Sequence, residues 1–324
     1  PTIPSIELIL AALIHDVGKV HTLSSENFST DDGVIPKNLF YGHSGFSSVM
    51  TYDILKNMGL LESVNIRRVI ELVNMHMIFS FDFGVIENND IFKLKSKDFE
   101  LIDKMFCGDP ELYKELLELI KADGFGRITR SNKYSINMQR YTILMNCLNS
   151  SVKDKYKKDI TNCSRTVIIL IGLPGSGKST FRNDFLKEHP EFQLASLDTL
   201  IEREMASRNC TYLNIFNKNK NLLNDLNKEY NSHIQELIHS DNNILCDATN
   251  LTVKSRAKKL SSLSKDSYKK AIVFIRSLED LYKINESRKE CKGKSLPRKT
   301  IDTMCKSFEV PSYNEFDEIE YRFY

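Results

Sequence analysis

The 324-residue sequence has no stretch approaching ~18 uninterrupted apolar residues and no basic-plus-apolar leader ending in a small-residue cleavage site. Membrane insertion and export are therefore not expected. The seven cysteines (Cys107, Cys147, Cys163, Cys210, Cys246, Cys291 and Cys305) are scattered, and no pair has the close spacing of a zinc or redox motif. That excludes a disulfide scaffold and fits reduced thiols in a cytoplasmic protein. Internal repeats and low-complexity tracts are absent as well, and no histidine precedes His15.

What is present is an ordinary globular composition, 41% hydrophobic and 27% charged, at a length that suggests two domains. The net charge of +2 hides an asymmetry: residues 1–150 hold 15 Lys+Arg against 19 Asp+Glu, whereas the remainder holds 30 against 24. A basic second half suits a polyanionic partner, although so small an excess is also what solvated surface produces. Up to about residue 148 apolar residues recur at spacings of three and four, which predicts an all-α domain over 1–148. The polar, lysine-rich stretch opening "NSSVKDKYKK" predicts a linker over 149–163. From 164 to 324, short apolar runs ("TVIILIG", "FQLASLD", "NILCDAT", "KKAIVFI") alternate with helical patterns, predicting an α/β domain around a parallel sheet.

In the first half the apolar run "IELILAALIHDVGK" reads as a buried helix that ends in His15 and Asp16, with Gly18 letting the chain turn out. His15 shares a stripe with Leu8 and Ala12; His43 lines up with Phe46, Met50 and Ile54; His76 falls among Ile66, Val69, Ile70, Val73 and Met77. A fourth helix, with Asp109 as N-cap and Pro110 as first residue, carries Tyr113, Leu116, Leu117, Ile120 and then Asp123 on its inner face. One histidine on an apolar face is usually a satisfied core residue. Three histidines and two aspartates on inward stripes need a common partner. Imidazole nitrogen with carboxylate oxygen suits a divalent Mn, Fe, Co, Ni or Zn ion, and Asp16 is able to bridge two. Such an ion acidifies water enough to attack phosphorus near neutral pH, with Lys19 available to hold the phosphoryl group. His21 reads as a loop histidine.

"ALIHDVGK", "FYGHSGF", "LVNMHM" and "KADGFGR" together resemble the HD phosphohydrolase superfamily, with a texture similar to the HD domain of tRNA-nucleotidyltransferase type. That resemblance implies a metal-dependent phosphohydrolase with ligands His15, Asp16, His43, His76 and Asp123. The family also has a histidine upstream of the HD pair. Its counterpart is expected in a segment preceding Pro1.

In the second half, "VIILIGLPGSGKST" is a P-loop in its required setting, after a buried strand and before a helix. Gly172, Pro174, Gly175, Ser176 and Gly177 shape the loop so that backbone N–H groups converge on phosphate oxygens. Lys178 then reaches the β- and γ-phosphates, Ser179 ligates Mg2+, and Thr180 stands beside them. ATP or another nucleoside triphosphate is the implied cofactor. "SLD" puts Asp198 at the carboxyl edge of the sheet, as a base for an attacking hydroxyl or as a helix N-cap. "CDATNL" puts Asp247 at the same edge, with Thr249 and Asn250 as substrate contacts or as turn residues. In the basic stretch that follows, Arg288 and Arg298 are candidates for a lid over the nucleotide, against a reading as basic surface.

The ordered set "GLPGSGKST", "SLD", "DATN", "INESRKE" and "LPRKTIDTMCKSFEVPSYNEFDEI" resembles the kinase domain of polynucleotide 5′-kinases of the phage and bacterial RNA-repair type. The resemblance implies Asp198 as base for a 5′-hydroxyl and Arg288 as lid arginine. This sequence departs from the family at Ile201 and Ile284, where arginines are common, and Arg203 is the available substitute for the first. An HD domain ahead of such a kinase resembles the bacterial HD-Pnk RNA end-healing enzymes. That implies ATP-dependent 5′ phosphorylation, metal-dependent removal of 2′,3′-cyclic or terminal phosphate, RNA as substrate, and an RNA ligase acting downstream. Two alternatives stay open: a small-molecule or nucleoside kinase joined to an HD nucleotidase, and a nucleotide-dependent RNA-binding protein with a degenerate HD scaffold.

Overall fold

A computed structural model describes residues 3–30, 33–78, 85–87, 91–93, 96–106, 109–126, 143–144, 159–210, 214–215, 220–240, 242–292 and 295–324. Of the expected linker over 149–163, residues 149–158 lie outside the described residues, and the rest holds a single 3-10 turn, Ile160–Asn162. Contacts divide the chain into two compact units, residues 1–157 with 306–314 and residues 158–305 with 315–324. The segment 306–314, assigned from sequence to the second domain, is thus counted with the first unit. Its attachment is visible at Asn74, whose Nδ2 donates to the Phe308 carbonyl at 2.9 Å while its Oδ1 accepts from Val310 N–H at 3.0 Å. Among the described residues no helix is long and apolar enough to cross a membrane.

The first unit contains α1 (Ile6–Ile14), α2 (Lys19–Thr22), α3 (His43–Asn57), α4 (Ile66–Met75), α5 (Ser96–Phe106) and α6 (Pro110–Gly126). Polar caps start them where expected: Ser5 accepts from Leu8 N–H, Asn65 from Arg68 N–H and Asp109 from Leu112 N–H, each at 3.0–3.1 Å. Helix α4 lies against α1, α3 and α6 around Phe46, Leu55, Val69, Ile70, Leu72, Leu116 and Leu117, all fully buried.

Two expectations change. The unit is not all helical: β1 (Ser24–Thr30) pairs antiparallel with β2 (Gly33–Leu39), and β3 (Val85–Glu87) with β4 (Ile91–Lys93). The strand "SSENFST" hides from an apolar-periodicity test because its ladder is made by backbone groups while its side chains are mostly polar. Helix α1 is apolar except at Glu7, but only one stripe is buried. Leu10, Ala11 and Ile14 face inward, whereas Ile6 and Leu13 are 52% and 70% exposed.

The second unit is a P-loop α/β domain. Five parallel strands, β5 (Arg165–Ile171), β6 (Phe192–Ser196), β7 (Asn243–Asp247), β8 (Ser267–Ile275) and β9 (Glu318–Phe323), lie in the order β6-β7-β5-β8-β9. The linking helices are α7 (Lys178–Glu188), α8 (Leu197–Arg208), α9 (Lys220–His239), α10 (Val253–Leu260), α11 (Leu278–Lys292) and α12 (Arg298–Lys306). Parallel strands are covered on both faces, so β5 reads as the continuous run "VIILI". Ile168, Leu170, Leu245, Ile272 and Phe274 form a core against which Phe181 and Phe185 of α7 pack. After β5 the chain goes to one side of that strand for β6 and β7, then to the other for β8 and β9. The carboxyl end of β5 is therefore a topological switch point, where such sheets bind ligands.

Candidate functional sites

In the first unit, His15 caps the C-terminus of α1, His43 begins α3, His76 caps α4, and Asp123 lies in the last turn of α6. The fold brings the three histidines to Asp16 and Asp123 to His15. Asp16 Oδ1 is 3.3 Å from His43 Nε2 and 3.9 Å from His76 Nε2, and Oδ2 is 3.4 Å from His15 Nε2. Asp123 Oδ1 is 3.8 Å from His15 Nε2. Lys19 Nζ approaches Asp16 Oδ2 at 2.5 Å. Gly18 permits this convergence by close approach and not by a left-handed turn, since its φ is −67°. A β-carbon there would sit 2.5 Å from the His43 carbonyl oxygen and 2.7 Å from Ser47 N. Ser47 Oγ accepts from Gly18 N–H at 2.9 Å and holds that approach. His21 stacks on Phe46 at 4.6 Å and takes no part in the cluster's ion pairs.

The proton inventory of the cluster decides what it can hold. Each imidazole Nδ1 faces the backbone carbonyl three residues before it: Ala12 at 2.9 Å, Phe40 at 2.8 Å and Val73 at 2.7 Å. A carbonyl only accepts, so each Nδ1 carries the proton and, in the neutral ring, each Nε2 presents a lone pair inward. His43 Nε2 and His76 Nε2 are 3.1 Å apart, and His15 Nε2 is buried without a hydrogen-bond partner. Lone pairs facing one another at that distance repel unless a proton or a cation lies among them. Burial and the neighbouring charges push His76 down to about 4, keeping it neutral. Burial opposes charge on His15 too, but there the Asp123 and Asp16 carboxylates prevail and push it up to about 10. Burial alone would raise Asp16; its contacts with His15, His43 and Lys19 instead hold it well below the carboxylate range. Ligand atoms of His15, Asp16 and His76 lie within 4.8 Å of one another. The mixed nitrogen and oxygen donor set, each imidazole fixed by a carbonyl behind it, fits a divalent transition metal.

In the second unit, a cavity of about 290 Å³ opens at the carboxyl end of β5. The P-loop residues Pro174, Gly175, Gly177, Lys178, Ser179 and Thr180 line it, with Asp198, Thr249 and Arg288 opposite and Ile284, Leu296 and Met304 as apolar wall. Gly177, the N-cap of α7, has φ 107°, and a β-carbon on it would meet the Tyr324 ring at 3.4 Å. Gly172 is excluded from substitution by crowding: its β-carbon would lie 2.7 Å from Ser176 Oγ. Lys178 Nζ donates to the Gly172 and Leu173 carbonyls, both at 2.8 Å. Burial drives its ammonium down to about 8, with Asp247 and Asp198 partly offsetting.

Several sequence assignments shift in detail. Asp198 is not an N-cap, because Ser196 Oγ takes that role toward Thr199 N–H at 3.4 Å; Asp198 stands in the first turn of α8 and lines the cavity. Asp247 is almost fully buried and pairs with Arg182 at 2.8 Å, a partner the sequence pattern did not single out. Burial raises the Asp247 carboxyl, opposed by Lys178 and Arg182. Asn250 belongs to the turn: its φ is 48°, it is buried, and its Nδ2 donates to the Leu170 carbonyl at 2.7 Å. Arg298 is exposed, stacks 4.1 Å from the Tyr282 ring centroid, and is not among the described residues lining the cavity. Arg203 is held at the surface by Glu229, at 2.7 and 2.8 Å, so it does not stand in for Ile201. Ile201 itself is fully buried with Ile215 and Leu226. Arg276 also lines the cavity and belongs to no motif of the sequence.

Residues 167–311 match the family model described as an AAA domain. The human and mouse heterogeneous nuclear ribonucleoprotein U-like protein 2 are each 27% identical over 168 residues, 51% of this chain and 22% of those proteins. The chain thus spans about a fifth of the length of these curated relatives. A chain from the structure of the Pnkp1/Rnl/Hen1 RNA repair complex is 22% identical, with a TM-score of 0.38, over 48% of this chain and 46% of that one.

Proposed function

We propose that the chain is a two-site RNA end-healing enzyme. Its P-loop unit transfers the terminal phosphoryl group of ATP to a 5′-hydroxyl end, and its first unit hydrolyses a 2′,3′-cyclic or terminal 2′ or 3′ phosphate. The observation that carries the kinase half is the single cavity in which P-loop, Asp198 and Arg288 meet. An acceptor hydroxyl entering from the β6 side comes to the Asp198 carboxylate, which takes its proton as the oxygen attacks phosphorus. Lys178 leaves the Gly172 and Leu173 carbonyls for phosphate oxygens, and Arg288 neutralises charge building on the transferred group. Ser179 would hold the Mg2+ that accompanies the nucleotide.

The hydrolytic half is supported by the convergence of His15, Asp16, His43, His76 and Asp123. A divalent transition metal bound by them supplies Lewis acidity toward phosphate and water. The residues hold the geometry: carbonyls orient each imidazole, Gly18 brings Asp16 to His43, and Lys19 neutralises the Asp16 side of the site. An RNA substrate agrees with the motif order in the sequence and with relatives named as ribonucleoproteins. The test is end analysis of a cleaved tRNA stem-loop incubated with ATP, Mg2+ and a panel of divalent metals, beside a free nucleoside as competing acceptor. A new 5′ phosphate on the RNA and a cleared 3′ end are expected. Phosphorylation of the nucleoside in preference to the RNA would replace this reading with a small-molecule kinase.

A further inference from the structure

Arg276 is the first residue after β8, the strand that flanks β5 on the side away from β7. Its guanidinium carbon lies 5.2 Å from the Tyr324 ring centroid, and that ring is parallel to Phe274 at 6.2 Å. Tyr324 is fixed in turn by donating its N–H to the Ile275 carbonyl at 3.0 Å and by packing where the P-loop bares Gly177. An aromatic wall therefore holds a guanidinium at the rim of the phosphate loop. Its Nε is buried and has no hydrogen-bond partner, and no carboxylate among the described residues pairs with it. Among the described residues, the charged ones lining the cavity are Lys178, Arg276 and Arg288 against the carboxylate of Asp198. A buried guanidinium nitrogen without an acceptor is costly to desolvate, and the planar fork of arginine matches phosphate oxygens.

We propose that Arg276 binds the phosphate chain of the donor nucleotide, gripping it from the β8 side of the P-loop. Sheet order separates it from the acceptor: Asp198 follows β6 and Thr249 follows β7, whereas Arg276 follows β8 across the P-loop strand. The assignment rests on the reading of this cavity as a nucleoside triphosphate site.

The experiment is equilibrium binding of ATP, ADP and adenosine to the full chain, with kinase KM values for ATP and for a 5′-hydroxyl oligonucleotide. Arg276→Gln is expected to weaken ATP and ADP binding roughly 10- to 100-fold, the range for a charge-assisted contact, while leaving adenosine affinity and the oligonucleotide KM unchanged. Arg276→Lys restores the charge without the fork and is expected to recover part of the loss. Tyr324→Leu removes the wall and is expected to shift ATP binding in the same direction by less. ATP affinity unchanged in Arg276→Gln, an equal loss for adenosine, or a rise confined to the oligonucleotide KM would each overturn the proposal. Should Arg276→Gln fail to fold, Arg276→Lys and Tyr324→Leu decide in its place, and unchanged ATP affinity in both overturns it. A wild-type chain that binds adenosine and ATP equally would instead sink the triphosphate reading itself, and this assignment with it.

Discussion

The imidazole cluster and the phosphate loop both gather charge in a protein interior, and they do so by opposite means. The cluster takes one or two side chains from each of four separated helices, so its geometry is a property of how α1, α3, α4 and α6 pack. The loop takes main-chain groups from one contiguous stretch, residues 172–180, and so carries most of its geometry in its own backbone. The first should therefore yield to packing changes remote from any ligand atom, and the second to changes in local backbone or charge.

The largest expected effect separates the two chemically. Lys178→Ala or Asp198→Ala should lower 5′ phosphorylation by about 10²- to 10⁴-fold and leave phosphate hydrolysis intact, with Asp16→Ala doing the reverse. End-labelling and phosphate release on the same preparations read both, and a variant that abolishes both would erase the distinction. Next in size, Gly18→Ala forces a β-carbon against the His43 carbonyl oxygen and should cost about 1–3 kcal/mol while weakening metal uptake. Thermal unfolding and metal analysis check it, with nucleotide binding unchanged.

The pH response comes third. Lys178 has its proton affinity lowered to about 8 by burial. Below that pH the ammonium is charged with or without ligand. Above it the free protein loses the proton that phosphate binding requires, so ATP affinity should fall about tenfold per pH unit. Folding stability moves the other way: between about 8 and the ordinary lysine value of 10.5, only the unfolded chain retains the proton, so this group makes the fold more stable as pH rises. Titration calorimetry across pH 7–10 reads the first trend, flat below about 8 and falling above it. Asn74→Ala is the smallest change. It deletes two hydrogen bonds to the 306–314 segment and should cost about 1–2 kcal/mol, seen as a lower midpoint in urea for the first unit's transition.

The contrast between the sites also governs what could be read in advance. The P-loop, the alternation of strands and helices after it, and the helices bearing His43, His76 and Asp123 follow from spacing, which is local. The stripe expected to carry His15 does not hold, since its member Ala12 is exposed and Leu10, Ala11 and Ile14 are buried instead. The β1–β2 hairpin was missed because backbone pairing leaves no apolar signature in "SSENFST". For Asn250 and Arg298 the sequence leaves a ligand contact and a structural role both open, because residue type suggests a role but not a direction. The coordinates give one to a left-handed turn and the other to the Tyr282 ring. Arg182 and Arg276 carried no pattern at all, since each acquires meaning only from a neighbour distant in sequence, Asp247 in one case and Tyr324 in the other.

Sequence by itself determined the menu of local geometries: glycines where a phosphate loop needs bare backbone, polar caps at helix starts, and single ionisable groups placed on otherwise apolar faces. Tertiary structure decided which of those groups meet. A lone pair or a carboxylate has a definite effect only at a definite distance from another charge, and those distances are set when helices and strands far apart in the chain exclude water and close on one another.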